Sequence, residues 1–223
     1  MTYVMSDLFG NYRKFKEMLS KISFREEDIL YILGNTVDYG EEPMELISDL
    51  SVRLNVYPIA GEHDYLAARM LAGFEKILES GASPDAGYIS EMTAWVQNGG
   101  QPTLEGFRAL DGEAREGILE YLEEMTLFEE VDVKGESYLL LHAGIADYDP
   151  DTDLEDYRPE DFFTVSPDPA RRTVEDRVLV VGHKKTESGR IEYGKGSIFI
   201  NCGVKDGGAL ACLCLESGEE FYV

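Results

Sequence analysis

Short apolar runs alternate with helix-periodic segments along the first third of the chain, and each run ends close to a polar residue. Residues 2–5 read as a strand, and Tyr12, Phe15, Leu19 and Ile22, spaced by three and four, line one face of the helix that follows. Ile29 to Leu33 is a second buried-strand candidate. After a loop from Gly34 to Gly40, Pro43 suits the first turn of a helix whose apolar positions are Leu46, Ile47 and Leu50. Val56 to Ala60 gives a third strand, followed by Leu66, Met70, Leu71, Phe74, Ile77 and Leu78 on a third helical face. This βαβαβα order predicts a largely parallel sheet covered by helices. In such a sheet the ligand crevice lies outside the carboxyl ends of the strands, and Asp7, Asn35 and His63 fall there. His142 and His183 follow the runs Ser-Tyr-Leu-Leu-Leu and Arg-Val-Leu-Val-Val-Gly, so all three histidines of the chain close apolar runs. Five separate segments aim polar groups at one place.

Residues 84–128 are helical in pattern and more polar, interrupted by the turn-like Asn98-Gly99-Gly100-Gln101-Pro102 and resumed by Ile118, Leu119, Leu122 and Met125. This reads as a helical insertion over the sheet. Six short β candidates follow, at 127–133, 136–141, 177–181, 197–200, 209–215 and 220–223, and they are expected to build a second sheet. The acidic stretch 147–176 carries Pro150, Pro159, Pro167 and Pro169 and is expected to be a long surface excursion, a candidate cover for a cleft. Its alternating Asp149, Asp151 and Asp153 lack the glycine and closing glutamate of a calcium loop, so a solvated face is expected. At 223 residues the chain is expected to form a single domain over 1–223.

The formal charge of −24, from 44 acidic against 20 basic side chains, opposes nucleic acid and anionic membrane surfaces as partners. No segment approaches the roughly 20 apolar residues that cross a bilayer, and no basic region leads into an apolar stretch at the N-terminus, so the expected location is the cytoplasm. Cys202, Cys212 and Cys214, odd in number and without metal-type spacing, read as reduced buried thiols.

The residues after the strands form ordered motifs: Ser6-Asp7-Leu8-Phe9-Gly10-Asn11, Gly34-Asn35-Thr36-Val37-Asp38-Tyr39-Gly40, Gly61-Glu62-His63-Asp64, Leu141-His142-Ala143-Gly144 and Gly182-His183. The series resembles the calcineurin-like metallophosphoesterases, in particular the bacterial Ser/Thr protein phosphatase branch, whose pattern is GDxHG, GDxxDRG, GNH(E/D), H(A/G)G and GH. The resemblance implies a four-layer α/β/β/α sandwich with two mixed β-sheets. It also implies a centre of two divalent metals roughly 4 Å apart, sharing a bridging carboxylate and the attacking water. By resemblance Asp7 is a first-metal ligand, Asn35 stands where the bridging aspartate would be, and His142 and His183 are second-metal ligands, with Glu62 standing where the family has a ligand asparagine and able to complete that set. His63 is the general acid, oriented by Asp38.

The departures from the pattern are specific. Phe9 replaces the first-site histidine and has no donor atom; Asn35 offers a neutral carbonyl instead of a bridging carboxylate. Tyr39 replaces an arginine of the GDxxDRG motif, and Ser166 aligns with the second phosphate-binding arginine, so two bidentate phosphate contacts are lost. Asn98 is a further candidate on the substrate side, or part of an ordinary turn. Glu62 reads either as a metal ligand or as a carboxylate paired with a neighbour such as His63.

The expectation is a degenerate phosphatase-like protein with little or no phosphomonoesterase activity, serving in binding or regulation of a phosphoprotein or another phosphoester. The alternative is an active phosphoesterase with a remodelled mononuclear site. In either case one divalent transition metal (Mn, Zn or Fe) at the second position is the most that is expected, and no two-metal centre.

Overall fold

The computed structural model describes residues 1–223. Its first third follows the periodicity: β1 (Thr2–Met5), α1 (Tyr12–Lys21), β2 (Ile29–Leu33), α2 (Pro43–Ser51), β3 (Val56–Ile59) and α3 (Glu62–Ser80). β1, β2 and β3 pair in parallel, with Met5 opposite Ile32 and Leu33 opposite Ile59, so the loops that follow all leave from one edge of the sheet. The insertion is built from α4 (Ala86–Trp95), a kinked turn over Val96–Gly100, α5 (Gln101–Ala109) and α6 (Gly112–Glu123). Asp85 and Asp111 start α4 and α6 by accepting hydrogen bonds from the N–H groups of Tyr88 and Ala114.

Seven further strands complete two five-stranded sheets: β4 (Phe128–Val133), β5 (Glu136–Leu141), β6 (Val178–Val181), β7 (Glu192–Gly194), β8 (Ser197–Phe199), β9 (Ala211–Cys214) and β10 (Glu220–Tyr222). The strand orders are β10-β9-β1-β2-β3 and β4-β5-β6-β8-β7, each mixing parallel and antiparallel pairs. The expectation that all the C-terminal strands join the second sheet is corrected here. β9 runs antiparallel to β1, pairing Tyr3 with Cys214 and Met5 with Cys212, and β10 follows it into the first sheet. All four residues of β9 are buried. Cys212 and Cys214 pack under the helices, while Ala211 and Leu213 face the other sheet, which suits an interior strand.

Three apolar clusters separate four layers. Phe15, Met18, Leu46 and Leu50 pack on Tyr3, Met5, Leu30 and Ile32 outside the first sheet. Val4, Leu33, Ile59 and Leu213 meet Leu140, Val180 and Ile200 between the sheets. Leu139, Leu141, Leu179 and Val181 pack outside the second sheet with residues from α3 to α6 and with Phe162 and Phe163. The last two belong to the acidic stretch, which therefore anchors in the core between its solvated segments. No helix is long and apolar enough to cross a membrane.

Candidate functional site

The loops at the strand ends are laced together by their backbones before any side chain contributes. Asp7 N–H donates to Gly34 O (3.0 Å), Phe9 N–H to Asn35 O and Gly10 N–H to Thr36 O (both 2.8 Å), and Gly182 N–H to His142 O (2.9 Å). Asp64, fully buried at the start of α3, accepts from Thr36 N–H and the Thr36 hydroxyl (2.8 and 2.6 Å) and from Gly61 N–H (2.9 Å), clamping two loops with one carboxylate. The loops approach so closely that a Cβ on Gly34 would lie 2.6 Å from His142 Nδ1; Gly34 also has φ +76°. Nine non-glycine residues have positive φ. Six of them, Asp7, Phe9, Asn35, Asp38, Tyr39 and His183, belong to this site, so backbone strain is concentrated where the functional candidates sit.

Asp38 and His63 form a supported pair. His63 Nδ1 lies 2.7 Å from Asp38 Oδ2, which also accepts from the Trp95 indole N–H (2.9 Å), while the Thr103 hydroxyl donates to Oδ1 (2.7 Å). An ionised carboxylate only accepts, so Nδ1 carries the proton and Nε2 is left to face the cleft. Burial pulls the His63 pKa down, but the hydrogen bond and charge of Asp38 overcome it and hold the imidazole above its ordinary 6.5. Thr103 was not singled out in the sequence, and Trp95, which opens the Trp95–Gly100 segment that shares in the family resemblance, was given no role there; both lie in the helical insertion, far along the chain from Asp38.

Around Asp7 the arrangement is closed. Asn35 Nδ2 donates to Asp7 Oδ1 (3.0 Å), His183 N–H donates to Oδ2 (3.0 Å), and the Ser6 hydroxyl donates to the same oxygen. Burial pushes the Asp7 carboxyl up to about 6, against the lowering effect of these hydrogen bonds. Asn35 spends its amide oxygen on His63 N–H at 3.1 Å. The Phe9 ring stands edge-on to Tyr39 and His63, with centroids 5.3 and 5.4 Å away. Neutral donors and an aromatic ring thus fill the first-metal position, and its residues do not fit an ion.

The second position differs. His142 Nδ1 is 2.8 Å from Leu33 O, which accepts its proton, and Nε2 is buried without a hydrogen-bond partner. Burial lowers the His142 pKa to about 4, so the ring is neutral and presents a lone pair. The His183 ring lies edge-on to it at 5.2 Å, and Glu62 Oε1 lies 3.8 Å from His183 Nδ1 and 3.8 Å from His63 Nε2. Glu62, His142 and His183 are thereby neighbours, although no three His, Cys, Asp or Glu side chains converge as they stand on one ion-sized point. The donor set matches a transition metal in chemistry, two imidazoles and a carboxylate.

Tyr39 is 36% exposed at the cleft; its hydroxyl donates to Asn98 Oδ1 (3.1 Å) and its N–H to Gly99 O (2.8 Å), so the kinked turn of the insertion abuts the site. Ser166 makes no hydrogen bond to the residues above; it lines a cavity of about 440 Å³ with Lys184 and Lys185, which follow His183 in the chain. A cation that the sequence reading missed, Lys205, sits over the rings of Tyr39 and Phe9, 4.4 and 5.2 Å from their centroids.

Known proteins share part of this sequence or its arrangement of sheets. A symmetrical bis(5'-nucleosyl)-tetraphosphatase of Buchnera aphidicola is 34% identical over 76 residues, 33% of this chain and 28% of that enzyme. Its counterpart in Wigglesworthia glossinidia brevipalpis is 28% identical over 111 residues, 46% and 39% of the two chains. The matched stretch thus spans well under half of each relative. Among solved structures, a protein serine/threonine phosphatase from Saccharomyces cerevisiae superposes over 100% of this chain and 79% of its own with a TM-score of 0.63 at 14% identity. A metallophosphoesterase from Sphaerobacter thermophilus does so over 100% and 87% with 0.55 at 15%. These likenesses carry the fold. The calcineurin-like phosphoesterase pattern itself matches residues 2–213, from β1 into β9, and with the strand-end residues meeting in one cleft the chain belongs to that family.

Proposed function

We propose that this protein is a phosphoester-binding member of the family with little or no phosphomonoesterase turnover of its own. The observation that carries the reading is the closed state of Asp7. Both of its oxygens are taken by Ser6, Asn35 and the His183 N–H, and Phe9 places carbon where a donor would be needed. In-line phosphoryl transfer on two metals needs cations on both sides of the attacking oxygen. This chain keeps only the half formed by Glu62, His142 and His183. Those three would hold a single divalent ion, with the half-exposed Glu62 carboxylate drawn onto the two imidazoles, and such an ion would supply Lewis acidity and an acidified water. His63 in its imidazolium form, with Nδ1–H on Asp38, would remain able to donate a hydrogen bond to a phosphate oxygen through Nε2.

The test is an assay of purified protein, with Mn or Zn supplied, on a phosphoserine peptide, an aryl phosphate and a symmetrical dinucleoside tetraphosphate. No turnover above the His142→Ala variant is expected. Robust metal-dependent hydrolysis that His142→Ala abolishes would overturn the proposal. One observation favours a second reading, that of an active mononuclear phosphoesterase: His142 Nε2 is buried and unpartnered, as a ligand nitrogen would be. The names of the bacterial relatives support the activity in that reading, not its metal count. Near-stoichiometric metal that is lost in Glu62→Ala, together with turnover, would establish it.

A further inference from the structure

Lys205 is an exposed cation without an ion pair beside the site of a strongly acidic protein. Its neighbours are engaged: Arg13 pairs with Glu42 at 3.2 Å, Lys14 Nζ donates to the carbonyls of Val223 (2.8 Å) and Gly208 (3.4 Å), and Lys185 pairs with Asp206 at 3.2 Å. Lys205 has neither an ion pair nor a hydrogen bond, although Asp206 adjoins it in sequence. Its ammonium is instead held over the Tyr39 and Phe9 rings, at the mouth of a cavity of about 300 Å³ also lined by Gly10, Asn11 and Gly40.

The position is built into the fold. Lys205 lies in a short helical turn (Val204–Asp206) whose ends, Gly203 and Gly207, have φ +85° and +80°, with Val204 buried beneath it. Gly203 N–H donates to Asn201 Oδ1 (2.9 Å), and Asn201 Nδ2 donates to His183 O (2.7 Å). The turn is therefore tied to the same loop that brings His183 to the site. Carboxylates in that cavity are Glu41 and Glu42, of which Glu42 is neutralised by Arg13. The cavity shares Tyr39 with the site, and the unpaired Lys205 ammonium stands over that ring, which also neighbours the His63 imidazole at 5.3 Å between centroids.

We propose that Lys205 is an anion-binding residue of the cleft, its ammonium receiving a phosphate group of the ligand. The proposal rests on the phosphoester-binding reading above and adds the group that makes it workable in a protein of net charge −24. A lysine supplies a point charge to phosphate without the planar fork of arginine, so it binds phosphate in several orientations.

The experiment titrates inorganic phosphate into isotope-labelled protein at constant ionic strength, following backbone amides. Saturable shifts at Tyr39, Gly40 and Val204 are expected. Lys205→Ala should weaken the binding by roughly tenfold or more, and Lys205→Arg should restore most of it. The side chain is exposed, and an unchanged melting temperature would show that Lys205→Ala folds. Equal affinity in Lys205→Ala overturns the proposal alone, whereas no saturable shift in the native protein overturns both the proposal and the phosphoester-binding reading on which it rests. If instead the native protein hydrolyses an aryl phosphate, the inactive reading fails and Lys205 is then tested by KM, which should rise in Lys205→Ala with kcat little changed.

Discussion

At the scale of single residues, the His63–Asp38 pair is fully supported by hydrogen bonds from Trp95 and Thr103, whereas Glu62, His142 and His183 do not converge on one point as they stand. His63 is buried, which by itself would favour the neutral ring, and Asp38 reverses that preference. Because the folded pKa lies above 6.5, protonation of His63 stabilises the fold fully below that pH, and the contribution is lost as pH rises through the folded value. An NMR titration should find His63 above 6.5 and His142 near 4 in the native protein, and His63 should fall in Asp38→Asn. A His63 that titrates identically in both proteins would show that Asp38 does not govern its proton. The convergence of Asp7, Asn35, His63, His142 and His183 was legible because each follows an apolar run, and strand ends meet by construction in a sandwich of this kind. The contacts of Trp95 and Thr103 with Asp38, and the place of Lys205, were not legible. Trp95 and Thr103 reach Asp38 across sequence separations of 57 and 65 residues, and no local pattern encodes such a contact.

At the scale of elements, β1 owes its position to both ends of the chain. Glu216, just beyond β9, accepts from Thr2 N–H at 2.9 and 2.8 Å and from the Thr2 hydroxyl at 3.0 Å, capping the start of β1. Burial raises the Glu216 carboxyl, but the hydrogen bonds from Thr2 and its own backbone together hold it below its ordinary 4.5. Glu216→Gln should cost about 1 kcal/mol at neutral pH, the scale of a partly exposed charge-assisted hydrogen bond. A depressed carboxylate stabilises above its unfolded pKa and ceases to as pH falls through the folded one, so the deficit should close on acidification. Denaturant titrations of both proteins at neutral and acidic pH would measure it; a deficit that persists unchanged in acid would contradict this account. The helices were legible from their periodicity, whereas the partner of β9 was not. The run Ala211 to Cys214 announces a buried strand, but whether it joins one sheet or the other depends on the return path of the chain. β7, only Glu192–Gly194, has no apolar run to announce it.

For the whole molecule, the four-layer sandwich carries an excess of acidic charge that its few ion pairs do not cancel. Self-repulsion of a net charge of −24 destabilises the compact state, and added salt screens it. Raising NaCl from about 20 mM to about 500 mM should therefore raise the melting temperature, since the screening length contracts from roughly 20 Å to under 5 Å over that range. A calorimetric melt that does not move, or moves down, would show that the surface carboxylates are spaced widely enough not to interact. The sandwich itself was legible through ordered motifs spread along the chain. The sequence also suggested that an acidic protein lacking two arginines has little local means of holding a dianion. In the folded chain, Lys205 crosses from the C-terminal part to the Tyr39 loop and supplies a positive charge there.

The bond from the Trp95 indole to Asp38 also gives the protein an optical reporter. Trp95 is the single tryptophan of the chain and is almost fully buried, so its emission arises from one environment, one hydrogen bond away from the carboxylate that holds His63. Fluorescence of the unlabelled protein therefore reports on the cleft directly, and a ligand that draws the His63–Asp38 pair out of place would alter its colour or intensity without any dye attached.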